Sequence, residues 1–417
     1  MNAVADVVIG ERKLTIYART FAYTHAEYEN IIGAVNLFER PEIRLMMKET
    51  PHDFFLTHPN DMYAGRVARP TIIEFDIAGE FNGQGIIANT WPQYVLSRCR
   101  DLLARDHVIG YVARTDRYRN TRVIGRPSEI NLEALRRYTE DPTVTAARVY
   151  EDFVASRYGT KAAPPVKRAF EAALDIVTSC LYTLGTNTAN HSQLDYDPYA
   201  SSYARHVSGK WFDPPVVRVG HGVDRELHYW KDIVNHLAPP WAKDPQGSQW
   251  REVPWVKEKG WITPGEEMTG EFLQNVLNEK DWGVKAAKAA VEAIEEAKPE
   301  LKADDYTDLH HYFYRTLLTA RVHRAAAGAY FGFRVWSRGG AYRTAEIERI
   351  VRDSLDELTR VAEEIKCYPV TPAIGQWNWS KDADRALRYH DWITKSGWPA
   401  ETRGFKNPNG GMKLPMK

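Results

Sequence analysis

Apolar positions in the first third of the chain follow two alternating rhythms. Runs of strand length, rich in β-branched and aromatic residues, occupy residues 14–21 (LTIYARTF), 43–49 (IRLMMKE), 71–79 (TIIEFDIAG) and 108–114 (VIGYVAR); bounded by turn residues, such runs read as strands. Between the first and second, Tyr28, Ile31, Ile32, Val35 and Phe38 recur at helical spacing, as do Tyr94, Val95, Cys99, Leu102 and Leu103 between the third and fourth. Strand and helix therefore alternate, which predicts parallel strands covered by helices. The link between the second and third strands, residues 53–70, is rich in Pro and Gly and reads as a loop.

Beyond Asp116 the pattern is helical. Residues 131–142 and 143–159 read as two helices, the second capped near Thr143 and stopped at Gly159, and residues 164–185 open on two prolines and close at Gly185. Three long apolar-periodic stretches, 265–298, 305–336 and 344–366, predict a helical bundle. The interval 186–265 breaks the rhythm with six of the thirteen tryptophans, Trp211, Trp230, Trp241, Trp250, Trp255 and Trp261, among Pro, Gly and His. A loop of that length is functional or disordered, and its aromatic content argues against disorder. The tail after Lys381 is expected to fray.

The third strand places Glu74, Asp76, Ala78 and Glu80 on one side and Ile73, Phe75 and Ile77 on the other. Three acids on one face cannot meet an apolar core unless paired or solvated, so that face is expected to line a barrel interior. On the preceding strand Arg44, Met46 and Lys48 share a side, and Lys48 is placed to offset the negative charge. Arg19 lies near the end of the first strand, Asp53 just past the second and Glu80 just past the third. Polar residues at successive strand ends are how an α/β barrel assembles its chemistry. Taken singly, each also fits an ordinary polar rim residue or strand-end cap.

Bulk composition narrows the function classes. Lys+Arg and Asp+Glu stand at 55 each, so no basic field draws a nucleic acid or an anionic membrane. No run of eighteen apolar residues occurs, and the N-terminus lacks the basic and apolar regions of a signal peptide. Cys99, Cys180 and Cys367 are scattered and odd in number, which argues against a disulfide framework and for a reducing, cytoplasmic compartment. His191, His221 and His228 lack metal-ligand spacing and read as structural, and the glycines of GEFNGQG do not fit a phosphate-binding loop. No metal or cofactor is expected.

Three motifs carry a family resemblance: RTFAY (19–23), KETPHDF (48–54) and EFDIAGEFNGQ (74–84), spaced by roughly thirty residues. They resemble the second half of the barrel of α-glucuronidases of glycoside hydrolase family 67, over about residues 14–140. The resemblance implies a (β/α)8 TIM-barrel-type α/β fold, with residues 1–140 as the C-terminal half of the barrel, about four strands, and residues 141–417 as a mostly helical domain. It implies that Arg19 and Lys48 hold the uronic-acid carboxylate of an oligosaccharide substrate, and that Asp53 and Glu80 bind and deprotonate water in an inverting hydrolysis of (4-O-methyl)glucuronic acid side groups of xylan. Independently, Arg forks onto carboxylates and Lys adds a point charge.

In that family the proton donor to the leaving oxygen sits on an earlier strand. Its absence before residue 14 leads to the expectation of little activity in the chain alone, and of a complementary N-terminal half-barrel or a homo-oligomer as partner. A related barrel glycosidase for another sugar, and a non-catalytic carbohydrate-binding or assembly subunit, stay open as alternatives. The tryptophans fit either sugar-stacking platforms or anchors for their loop.

Overall fold

In a computed structural model of the chain, the four early apolar runs pair as one parallel sheet in the order β1 (Tyr17–Arg19), β2 (Arg44–Lys48), β3 (Thr71–Asp76) and β4 (Val108–Arg114). The structure describes residues 1–21, 25–50, 54, 56, 60, 61, 63–115, 123–183, 186, 187, 269–368 and 379–395. The six tryptophans of the loop, its three histidines and Asp53 lie outside the described residues. A short helix, α1 (Asn2–Ala5), and a π-helical turn (Asp6–Glu11) precede the sheet. β1 is shorter than its apolar run because β2 begins opposite it, Arg44 facing Tyr17, which leaves Leu14 without a strand neighbour and 62% exposed.

The period of two along β3 sorts its side chains as the alternation demands. Ile73 and Phe75 are fully buried, and Phe75 meets Tyr111 of β4 edge-on with ring centroids 6.2 Å apart. Glu74 and Asp76 point the other way, beside neighbours fixed by register: Lys48 pairs with Glu74, and Asp76 with Arg114. β1 and β4 are the two edges of this sheet, and each has one strand neighbour among the described residues. Tyr17 and Val112, on these edges, are 40% and 37% exposed.

Helices α2 (His25–Val35) and α3 (Pro92–Leu102) connect strands, and α4 (Glu129–Glu140), α5 (Ala146–Tyr158) and α6 (Ala163–Leu181) follow the sheet. The cap of α5 is Thr145, whose hydroxyl accepts from the Arg148 amide, two residues later than expected. Thr143 instead turns its hydroxyl to Asp141, a local bond that keeps the chain out of the helix at that point. After α6 comes a minimal antiparallel pair, β5 (Tyr182–Thr183) with β6 (Thr186–Asn187).

Four further helices follow among the described residues: α7 (Gly270–Ala297), α8 (Ala303–Ser337), α9 (Ala345–Cys367) and α10 (Trp379–Lys395). α8 packs against α6, α7, α9 and α10, so its second half is buried on every side, including Ala325, Ala326, Ala327, Tyr330, Phe331 and Phe333. A Cβ on Gly328 would stand 2.2 Å from Ser354 Oγ, so glycine is what lets α9 approach this closely. The first part of the tail expected to fray, up to Lys395, is helical instead, because Ala383, Ala386 and Ile393 recur at helical spacing and are buried; residues 396–417 lie outside the described residues. No helix among the described residues is long and apolar enough to cross a membrane.

Candidate active site

The C-terminal ends of the four strands bring charges together that are far apart in sequence. Arg19, at the end of β1, forks onto Glu74 of β3, with Nε donating to Oε2 at 2.7 Å and Nη2 to Oε1 at 3.1 Å. Lys48 was expected to offset this negative charge; it stands opposite Glu74 in register, and Arg19 adds a second cation bonded directly to the carboxylate. Lys48 is nearly buried, its Nζ 4.1 Å from the Phe21 ring centroid and 4.4 Å from that of Phe54. Such placement over aromatic faces is a favourable seat for a desolvated ammonium.

Glu80 sits in the turn after β3, where Gly83, at φ +103, would carry a Cβ 2.1 Å from Ile87 Cγ1; only glycine closes this turn. The turn returns the Glu80 amide to its own strand, where it donates to Asp76 Oδ2 at 2.5 Å. The Glu80 carboxylate accepts from Arg114 Nη1 at 2.5 Å, across from β4. Arg114 also lies 5.3 Å from the Phe54 ring centroid. Its burial acts against its charge, but the surrounding Asp76, Glu80 and Glu74 outweigh it and hold the guanidinium firmly protonated.

Two further acids lie beneath. Glu49 follows Lys48 and therefore points to the opposite face, where its carboxylate meets the Asp76 amide at 3.1 Å and stands 3.7 Å from Arg98 Nε of α3. Burial raises the Glu49 pKa, and Arg98 only partly offsets it. Asp76 is pushed up to about 7, first by burial and then by repulsion from Glu80 and Glu49, against the pull of Arg114 and of the Glu80 amide. Near neutral pH the cluster thus holds a carboxyl that readily keeps its proton beside a carboxylate held by a guanidinium, the pairing that acid and base chemistry requires.

The helices hold the loop that leaves this cluster. Tyr182, just past α6, accepts from the Leu56 amide at 3.0 Å and donates to Asn82 Oδ1 at 2.9 Å. On α8, Tyr312 accepts from the Asn89 amide at 2.7 Å and Thr316 from the Ala88 amide at 2.8 Å. Asn131 of α4 accepts from the Trp91 amide at 2.8 Å and donates to Asn89 Oδ1 at 2.7 Å. Every one of these is a buried, satisfied bond, so the loop bearing Glu80 is fixed from behind by α4, α8 and β5.

Of the residues singled out from the sequence, Arg19, Lys48 and Glu80 converge on this strand-end cluster, and Asp53 lies outside the described residues. Glu49, Asp76, Arg98 and Arg114 were not singled out as site residues. One signal for Arg98 existed: it falls four residues after Tyr94 on the apolar face of α3, and a charge on such a face requires a buried partner. Among the described residues no group of three His, Cys, Asp or Glu is arranged to hold a metal ion.

No protein-family model matches the chain, and no curated protein matches it. Among solved structures, a glycoside hydrolase family 138 enzyme targeting pectin rhamnogalacturonan II shares the fold, with a TM-score of 0.54 and 12% identity over 94% of this chain and 46% of that one. The chain therefore spans about half the length of the structure it matches. At this identity the likeness establishes a glycoside hydrolase-like fold, an α/β sheet followed by helices.

Proposed function

We propose that the chain carries part of the active site of a glycoside hydrolase of α-glucuronidase type, which removes (4-O-methyl)glucuronic acid side groups from xylan-derived oligosaccharides with inversion. The observation that carries this reading is Glu80, a strand-end carboxylate held by Arg114 and set beside the proton-retaining Asp76. Glu80 and Asp53 take the role of binding and deprotonating the attacking water. Inversion needs room for that water, with acid and base about 6.5–9.5 Å apart. The substrate carboxylate is met by Lys48 and by the guanidinium hydrogens of Arg19 that Glu74 does not take, since arginine offers five. A complementary barrel half, pairing with β1 and β4, supplies the proton donor.

A second reading follows from one contact. Because Arg19 is already forked onto Glu74, the site also suits a related barrel glycosidase whose sugar carries no carboxylate. The same measurement separates the two: sugar release from aldouronic acids, pectin-derived oligosaccharides and their neutral counterparts, by this chain alone and together with a complementary barrel half. The expected result is glucuronic acid release by the completed barrel, with Glu80→Gln slower by at least about 100-fold. Release of neutral sugars alone favours the second reading, and binding without any release favours a non-catalytic carbohydrate-binding subunit.

A further inference from the structure

Asp76 has a surplus that the scheme above does not use. One oxygen, Oδ2, accepts the Glu80 amide at 2.5 Å, while Oδ1 is buried and has no hydrogen-bond partner among the described residues. The charged and titratable groups facing it are Arg114 on β4, Glu80 and Glu74 on its own strand and turn, Glu49 after β2 and the Tyr182 phenol past α6. Only Arg114 among these is a cation, and its Nη1 is already given to Glu80. An ionised Oδ1 here is a desolvated acceptor with no donor, whereas a protonated one is a donor waiting for an acceptor.

We propose that Asp76 works as an uncharged carboxylic acid that positions Glu80, one oxygen gripping the Glu80 amide while the other, buried, keeps its proton. The inference rests on the glycosidase reading for its consequence in turnover, and on the buried geometry alone for the state of the carboxyl. The rise of this group to about 7 agrees with it. Asp76 is thus a positioning residue, acting on the reacting atoms through Glu80.

Two variants test this. Asp76→Asn keeps an acceptor for the Glu80 amide and a donor on the other arm, without a titrating proton; Asp76→Leu removes both. In the completed barrel, Asp76→Asn should keep kcat within about fivefold of the parent near pH 6, and Asp76→Leu should lose about 100-fold in kcat with KM little changed. Equal, large losses in both variants would show that the anion is what matters and would overturn the proposal.

The second readout needs no turnover. Between pH 5 and 8 the melting temperature of the chain should fall by a few degrees relative to its own Asp76→Asn variant, because only the parent must give up a buried proton. A difference that does not change with pH overturns the uncharged state, whatever the activity. If that difference appears and no oligosaccharide is cleaved, the glycosidase reading fails and the ionisation of Asp76 stands.

Discussion

Around the ends of β2 and β3, the buried acids Glu49, Glu74, Asp76 and Glu80 are crowded against Arg19, Lys48, Arg98 and Arg114. Along α6 to α9 the buried polar groups among the described residues are hydroxyls, a histidine and the charged Glu279, Lys280 and Arg315; Lys280 Nζ donates to the carbonyls of Ser179 at 2.6 Å and of Tyr182 just past α6, and Arg315 Nε to that of His311 at 3.0 Å. The helices satisfy local ends of secondary structure and neighbouring loops. The strand ends instead concentrate like charges that repel one another, which is costly for folding and useful for moving protons. One part of the molecule thus stabilises what the other destabilises.

The contrast predicts opposite responses to pH. The folded pKa of Asp76 is raised, so its contribution to stability is full at low pH and is lost as pH climbs towards about 7. His323 of α8 is fully buried with its pKa pushed down to about 3 by burial and by Lys280, so its contribution is present above the ordinary histidine range and is lost as pH falls. The two windows overlap between about pH 4 and 6.5, where opposed slopes of about 1.4 kcal/mol per pH unit cancel, so these two groups together leave stability flat there and each is seen only against its own variant.

The largest expected effect breaks the strand-end side. Arg98→Met removes the only cation in contact with Glu49 among the described residues and should destabilise the chain by about 3–5 kcal/mol, measured by denaturant unfolding. The loss should shrink as pH is lowered, because burial raises the Glu49 pKa and a protonated Glu49 no longer needs the cation; a loss that does not change with pH would mean that packing of the long side chain, and not its charge, is what matters. A smaller effect sharpens the helical side. Relative to the parent, His323→Leu should gain about 3 kcal/mol on going from pH 6.5 to 4.5, because only the parent's unfolded state takes up that proton. Parallel stability curves for the two proteins would remove His323 from the comparison.

Legibility in the sequence followed the range of the interactions. The alternation in β3 was readable because it is local: Ile73 and Phe75 go to the core and Glu74 and Asp76 away from it. Strand ends were readable for the same reason, which is why Arg19, Lys48 and Glu80 stood out. Arg114 was not, because its meaning depends on the register that sets it opposite Asp76. Tyr312 and Thr316 lie more than two hundred residues from the amides they accept, and nothing in their own surroundings announces the loop they hold. That Arg19 forks onto Glu74 was not legible, because only side-chain geometry across two strands decides which cation a carboxylate meets.

The central claim is that Glu80 prepares a water for direct attack. Proton NMR of the first-formed sugar tests it, with an aldouronic acid substrate and the completed barrel. Inversion predicts that the β-anomer of the released glucuronic acid appears first and that mutarotation to the α-anomer follows. An α-anomer formed first would show a covalent, retaining route, and would contradict the role given to Glu80.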